Sequence, residues 1–246
     1  MFQSYQRWSF LKNRKRDNNM FTYAIGVLFF LVIWLGIYIF VPKSRKAILW
    51  SSIAWGHVGP ISEYWHLKDY WDPAYMLRFE IGNWVFGTED YFFAFAYGGL
   101  SAGIFDILIR KLGEKELAIF YLWGYIKLLL AELCCLFVMG ALIILLHINS
   151  LHAIVVTFLF GVTVLIVLRP KWTLPAIQTG IIAGLFMWIS YWGFFLKLFP
   201  NIIEKWWFQD ALCGISFGGV PIEEVIWASS TAIFVGPISR YCTQKR

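Results

Sequence analysis

Two adjacent acids precede an apolar stretch in GVPIEEVIW, residues 219–227, and a second pair does so in GTEDYFF, residues 87–93. The pairs are Glu223-Glu224 and Glu89-Asp90, and each runs directly into a mostly apolar segment. Acids inside or at the edge of a lipid bilayer are costly, and they usually carry a function or pair with one another. A similar pair in each half of the chain therefore favours a functional role.

The composition is typical of a protein that lies in a membrane. Of the 246 residues, 59% are hydrophobic, 20% are aromatic and only 15% are charged, whereas a soluble domain carries roughly 25% charged residues. The net charge of +6 does not indicate nucleic acid, because the basic residues lie at the termini and between apolar stretches, where lipid headgroups and membrane orientation explain them. We therefore predict an all-α, polytopic membrane protein with membrane lipids and no nucleic acid among its partners.

The apolar stretches predict about seven transmembrane helices, since a spanning helix needs roughly 20 apolar residues. The second stretch is short, and whether it crosses the bilayer fully or continues through Trp65 stays open. The predicted spans are Phe21–Val41, Ala47–Ile61, Thr88–Ile109, Leu122–Leu146, Leu151–Leu168, Leu174–Leu198 and Pro221–Ser239.

The spacing of the acid pairs predicts an internal repeat. Shifting the first two spans by the separation of the pairs brings them onto the fifth and sixth spans. An extra helix between two three-helix units makes the units parallel, so that both acid pairs lie on one face and converge on one pocket. The predicted parts are a basic N-terminal segment (1–20), a first repeat (21–111), a connecting transmembrane helix (112–150), a second repeat (151–240) and a C-terminal tail (241–246).

The orientation in the membrane is weakly determined, because basic residues divide almost evenly between the two faces. We favour a cytoplasmic N-terminus, since the first helix often dominates. The expected location is a multi-pass protein of the bacterial cytoplasmic (inner) membrane.

The four acids are the candidate catalytic residues: Glu89, Asp90, Glu223 and Glu224. One alternative is that they only begin their helices well, because acids in the first turn stabilise a helix by about 0.3–1 kcal/mol. The functional reading rests on desolvation and a neighbouring like charge, which raise the pKa of a carboxyl by up to several units. Such a carboxyl is a neutral acid near pH 7 and can donate a proton.

Only one acid of each pair is expected to face the pocket, because adjacent residues of a helix with 3.6 residues per turn point in different directions. The sequence leaves open which acid it is. Our working hypothesis is that Glu89 and Glu223 donate the proton, while Asp90 and Glu224 orient them.

Aromatic residues surround the acids and predict a site that stabilises positive charge. Aromatic ring faces stabilise a cation by roughly 0.5–2 kcal/mol, which suits protonation of an alkene; the alternative is an ordinary interfacial belt of aromatic residues. Glu63 belongs to the acidic and aromatic segment 62–73, for which the alternative is a solvated loop. The candidate substrate-binding residues are Glu63, Trp84, Phe86, Phe93 and Trp227.

The cysteine and histidine spacings match no metal-site pattern, and the mid-span glycines do not form a dinucleotide fingerprint because no strand precedes them. We therefore expect no cofactor and no metal.

The chain resembles the membrane-bound lycopene cyclase domain family, which comprises the heterodimeric bacterial cyclases and their fused fungal and archaeal counterparts. Pro221-Ile222-Glu223-Glu224 matches the family's Pro-x-Glu-Glu motif, whereas Gly87 and Asp90 stand where the first motif would have proline and glutamate. The resemblance implies an intramolecular lyase or isomerase of carotenoid biosynthesis. It implies proton-initiated, redox-neutral cyclisation of lycopene-type end groups through a carbocation, with no metal or flavin. The expected substrate is a lipid-soluble polyene or prenyl compound, and the expected protein partners are a second copy of the chain or other pathway enzymes.

Two other functions stay open on the sequence alone. A terpenoid cyclase acting on another prenyl lipid, such as a meroterpenoid or prenylquinone, would use the same acids and aromatic residues. A small proton-coupled transporter would also fit parallel repeats with acids in the membrane, although glycine and proline signals for broken helices are sparse.

Overall fold

The structure, a computed structural model, describes residues 20–113 and 122–243. The predicted basic N-terminal segment therefore lies outside the described residues except for Met20, and so does the end of the predicted tail. The described chain is mainly helical, which confirms the predicted all-α class.

Two short hairpins interrupt the run of helices, and α7 is prolonged by a wide π-helical turn (Tyr191–Phe195) and a final turn (Leu196–Leu198). The helices and strands are α1 (Phe21–Phe40), α2 (Arg45–Gly56), α3 (Val58–Asp69), β1 (Arg78–Ile81), β2 (Trp84–Gly87), α4 (Thr88–Arg110), α5 (Leu122–Leu146), α6 (Ser150–Leu168), α7 (Thr173–Ser190), α8 (Ile202–Trp206), β3 (Ser216–Phe217), β4 (Val220–Pro221) and α9 (Ile222–Thr243).

Five helices of the described ranges are long and apolar enough to cross a membrane: α1, α4, α5, α6 and the segment Pro170–Leu198 that contains α7. Large apolar side chains on them point away from the protein, and Phe137 is 77% exposed, as expected for a surface that faces lipid. These helices support a membrane protein. The predicted total of seven spans stays a prediction.

The predicted second span is replaced by two helices that meet at His57. Pro60 fits the first turn of α3, where a proline needs no hydrogen-bonded N–H. Gly59 permits close packing, because a Cβ there would lie 2.2 Å from the backbone oxygen of Asp90 in α4. The helix then continues to Asp69, so that residues 62–69 are not a solvated loop, and Glu63 is only 5% exposed.

Each acid pair follows a hairpin directly. Strands β1 and β2 are antiparallel, with Gly82 in the left-handed region (φ 61°) at their turn, and β2 leads into α4. Strands β3 and β4 are also antiparallel and lead into α9. The two acid-bearing helices lie at the centre of the protein, where α4 packs on α2, α9 packs on α7, and α4 and α9 pack on each other. Helix α5, the predicted connecting helix, packs on α6 and α9.

The far ends of α4 and α9 are joined by a buried ion pair. Arg240 Nη1 lies 2.9 Å from Asp106 Oδ1, and both side chains are 2% exposed. Arg110 Nε also reaches Asp106, at 3.0 Å from Oδ2, and the Ser44 hydroxyl donates to the same oxygen at 2.9 Å. The two central helices are therefore held together at the end opposite the acid pairs.

Cysteine labelling tests this arrangement. At 1.5 Å per residue the 23 residues of α4 extend about 34 Å, so we expect the hairpins and the ion pair at opposite membrane faces. Each position is tested in a variant that carries a single cysteine, with the other cysteines replaced by serine. An impermeant maleimide should label Asn83→Cys in one variant and native Cys213 in another from the same side of the membrane. It should label Lys171→Cys only from the other side. Labelling of Asn83→Cys and Cys213 from opposite sides would contradict the fold.

Thermal unfolding in detergent tests the ion pair. Removing the sole partner of a buried charge costs roughly 3–5 kcal/mol. Arg240→Met leaves Asp106 with Arg110 as its remaining cation, so the variant should lower the unfolding midpoint by less than that figure implies but more than loss of an exposed pair does. The matched control is Arg78→Met, since the Arg78–Glu80 pair is exposed and such pairs contribute about 0–1 kcal/mol. Equal midpoints for the two variants would show that the Asp106–Arg240 pair does not hold the helices together.

Candidate active site

A cavity lies where α4 and α9 begin, and carboxyls from three helices line it. They are Glu63 of α3, Asp90 of α4 and Glu224 of α9. Each of these side chains is at most 5% exposed. The predicted convergence of acids from both halves of the chain on one pocket therefore involves the second acid of each pair.

Asp90 is held by one backbone and one side-chain donor. Its Oδ2 accepts from the Gly87 N–H at 2.7 Å, and its Oδ1 accepts from the Tyr23 hydroxyl of α1 at 3.1 Å. The first bond explains why glycine stands where the related motif has proline, because proline has no N–H to donate. A Cβ at Gly87 would also lie 2.1 Å from the Tyr75 ring. Asp90 therefore caps its own helix and also faces the cavity.

Glu224 is held by two aromatic donors. Its Oε1 accepts from the Tyr70 hydroxyl and, at 2.8 Å, from Trp207 Nε1. One donor precedes α4 in the chain and the other precedes α9, so each half contributes to the second carboxyl. Buried carboxyls need such donors, because an unpaired buried polar group is costly.

A backbone bridge between the two halves positions these donors. Trp71 and Trp207 form an isolated antiparallel bridge. The Asp72 N–H donates to the Trp206 oxygen at 2.8 Å, and the Phe208 N–H donates to the Tyr70 oxygen at 2.9 Å. The segments before the two hairpins are thus joined to one another above the cavity.

Glu89 and Glu223, the first acids of the pairs, do not line the cavity. Glu89 Oε1 accepts the Met76 N–H at 2.6 Å, and Glu223 Oε1 accepts the Cys213 N–H. Both donors precede the hairpin that leads into the acid's own helix. The geometry therefore differs from our working hypothesis, which made the first acids the proton donors: these two acids tie down the hairpins.

Glu63 adds a third carboxyl beside Asp90. Its Oε2 accepts from Trp71 Nε1 at 3.0 Å. Burial and the neighbouring Asp90 raise the pKa of Glu63 well above its usual value, which favours the neutral acid. Burial, Glu63 and Asp90 likewise raise the pKa of the nearby Tyr75, which remains a neutral phenol.

Stacked aromatic rings form one wall of the cavity. The Phe93 and Trp227 centroids lie 5.8 Å apart, and the Tyr97 and Trp227 centroids lie 5.5 Å apart, with nearly parallel planes. The Tyr97 hydroxyl is fixed by donating to the Ala228 oxygen at 2.8 Å. These ring faces join α4 to α9 and suit the stabilisation of a cation.

The predicted substrate-binding residues divide into two groups. Glu63, Phe93 and Trp227 line the cavity. Trp84 and Phe86 lie in β2, where their centroids are 4.7 Å apart and Trp84 Nε1 donates to the Pro60 oxygen at 2.7 Å. Neither is among the residues that line the cavity. They pack the hairpin against α3.

Sequence reasoning missed the donors that hold the acids, namely Tyr23, Tyr70 and Trp207. The sequence does contain a pattern that indicates two of them: Tyr70-Trp71 and Trp206-Trp207 each precede an acid pair by a similar number of residues. Within residues 20–113 and 122–243, no group of three His, Cys, Asp or Glu side chains could hold a metal ion.

Residues 149–241 match the family model described as lycopene cyclase. This range nearly coincides with the predicted second repeat and includes Glu223 and Glu224, so the predicted resemblance is confirmed there. No curated protein and no solved structure matches the chain. The family match and the apolar helices together support a membrane carotenoid cyclase.

Proposed function

We propose that this protein is an integral-membrane cyclase that starts a redox-neutral ring closure of lycopene-type end groups by proton transfer. The observation that carries the proposal is that Asp90 and Glu224, from opposite halves of the chain, line one aromatic cavity with their oxygens hydrogen-bonded. The enzyme class is an intramolecular lyase or isomerase, because the ring is an isomer of the open end group.

The reaction begins with a carboxylic acid that gives its proton to a terminal double bond. The resulting tertiary cation is attacked by a neighbouring alkene, and loss of a ring proton completes the product. Asp90 and Glu224 are the proposed donors, since their carboxyls face the cavity. Hydrogen bonds from Tyr23 and Tyr70 fix the orientation of the two carboxyls.

The aromatic wall stabilises the cation while the ring forms. Phe93, Tyr97 and Trp227 present stacked faces rather than polar groups that could trap the cation. Each well-placed ring contributes roughly 0.5–2 kcal/mol. A long polyene would reach this cavity from the bilayer, which gives a reason for a membrane location.

The proposed architecture is the parallel repeat of three-helix units, joined by α5. Its support is the matched order of hairpin, acid pair and central helix in each half. Glu89 and Glu223 have matching contacts, each with a backbone N–H ahead of its hairpin. A multi-pass location in the bacterial cytoplasmic membrane belongs to the same proposal.

Expression in a bacterial host that accumulates lycopene tests the function. Wild-type protein should convert red lycopene to orange or yellow carotenes with one or two rings, measured by liquid chromatography. Asp90→Asn and Glu224→Gln should each reduce ring formation by at least about 100-fold, since general acid catalysis contributes roughly 10²–10⁴-fold. Immunoblots of the membrane fraction should show near-normal amounts of both variants.

Glu89→Gln and Glu223→Gln serve as matched controls. An amide oxygen can still accept the Met76 or Cys213 N–H, so these variants should retain activity within about tenfold. Unchanged lycopene with abundant wild-type protein would remove the substrate assignment. Full activity in both Asp90→Asn and Glu224→Gln would remove the acid mechanism.

A further inference from the structure

A hydrogen-bonded chain runs from the cavity toward the edge of the protein through His66, Ser150 and Asp69. His66 Nδ1 lies 2.7 Å from the Ser150 hydroxyl oxygen. That hydroxyl donates to Asp69 Oδ1 at 2.5 Å, and the Ser150 N–H donates to Asp69 Oδ2 at 2.9 Å. The imidazole and the serine are buried, at 7% and 0% exposed, whereas Asp69 is half-buried.

The number of protons available to the His66–Ser150–Asp69 hydrogen bonds defines the histidine tautomer. A serine hydroxyl has one hydrogen, and Ser150 gives it to Asp69, which accepts through both of its oxygens. The contact between Ser150 and His66 therefore requires that Nδ1 carry the proton. Nε2 is then unprotonated and keeps a lone pair.

The position of this lone pair suits a proton acceptor. His66 lines the same cavity as the carboxyls. Its ring centroid lies 6.1 Å from that of Tyr70, whose hydroxyl donates to Glu224. Burial lowers the pKa of His66 to about 4, so the imidazole is neutral near pH 7. Even a weak base is sufficient here, because a C–H bond next to a carbocation is strongly acidic.

The carboxyls of the cavity are poorer candidates for this step. Asp90 and Glu224 are the proposed donors of the same turnover. Glu63 is favoured in its neutral form by burial and by Asp90, which raise its pKa. A protonated carboxyl cannot accept the ring proton, whereas the neutral imidazole can. The carboxylate that the donor leaves behind is the competing base, and His66→Gln separates the two because a carboxylate base would leave the rate of ring formation unchanged.

We propose that His66 is the base that completes ring closure, with Ser150 and Asp69 as positioning residues that keep its Nε2 free to accept. This inference rests on the proposed cyclase function.

The step balances without a further reactant. The carboxyl O–H bond breaks as a C–H bond forms at the terminal alkene, and the electron pair of the second alkene forms the ring C–C bond. Nε2 then takes the proton from the ring carbon, and the pair of that C–H bond becomes the ring double bond. After product release the imidazolium loses a proton to water and the carboxylate regains one from water.

Asp69→Asn is the most informative variant, because it should exchange the donor and acceptor roles along the His66–Ser150–Asp69 hydrogen bonds. The Ser150 N–H needs an acceptor, so the amide oxygen would occupy that place and the amide NH₂ would donate to the serine hydroxyl. Ser150 would then donate to Nδ1, which transfers the imidazole proton to Nε2. The fold is kept while the lone pair is lost from the cavity.

Cyclisation and histidine NMR test the proposal together. In the lycopene-accumulating host, His66→Gln and Asp69→Asn should each form at least about tenfold less cyclic carotene per amount of protein. The control is His57→Gln, because His57 is exposed and its ring faces Tyr91 rather than the cavity; its activity should match wild type. In detergent, ¹⁵N spectra should show the His66 proton on Nδ1 in wild type and on Nε2 in Asp69→Asn.

The outcomes separate this inference from the proposed function. Wild-type activity in either His66→Gln or Asp69→Asn would overturn the base assignment, and so would a proton on Nε2 in the wild-type protein. If a variant is not produced, the wild-type spectrum still decides the tautomer. If wild-type protein forms no cyclic carotene, the proposed function fails, and with it the base assignment.

Discussion

A buried carboxyl in an apolar bundle must receive hydrogen bonds, and this requirement organises the whole cavity end of the protein. Asp90 takes its bonds from Gly87 and Tyr23, and Glu224 takes them from Tyr70 and Trp207. Tyr23 lies in α1, Gly87 ends β2, and Tyr70 and Trp207 follow α3 and α8. Each carboxyl therefore depends on the correct assembly of several segments.

The two acids of each pair take different positions. The first acid holds the backbone that precedes the hairpin, through Met76 or Cys213. The second acid enters the cavity at the start of a central helix. The two interpretations of the acids, as a favourable helix start and as part of a functional site, are compatible. Asp90 both caps α4 and lines the cavity. At the other end, the Asp106–Arg240 pair holds the same two helices together.

Composition and the acid pairs were sufficient to predict the helical class, the membrane location, the family resemblance and a pocket shared by both halves. They did not predict which acid faces the pocket, because that depends on where the hairpins end and on the backbone donors at Met76 and Cys213. The sequence does not decide whether the helix continues past Ile61, since the support for α3 is tertiary: Gly59 packs on Asp90, and Glu63 is buried against Trp71. Trp84 and Phe86 were grouped with the site because they are near in sequence, yet β2 directs them to the hairpin packing.

In the proposed reaction, a proton from the protein starts a redox-neutral ring closure. The most direct measurement is the mass of the carotene formed when purified protein in D₂O, fully exchanged, acts on lycopene. The product should carry one deuterium atom in place of one hydrogen for each ring formed, because the carboxyl that protonates the alkene exchanges with solvent. Its composition should otherwise equal that of lycopene. Cyclic product without deuterium, or with fewer hydrogen isotopes (protium and deuterium together) than lycopene has hydrogens, would contradict proton-initiated, redox-neutral ring closure.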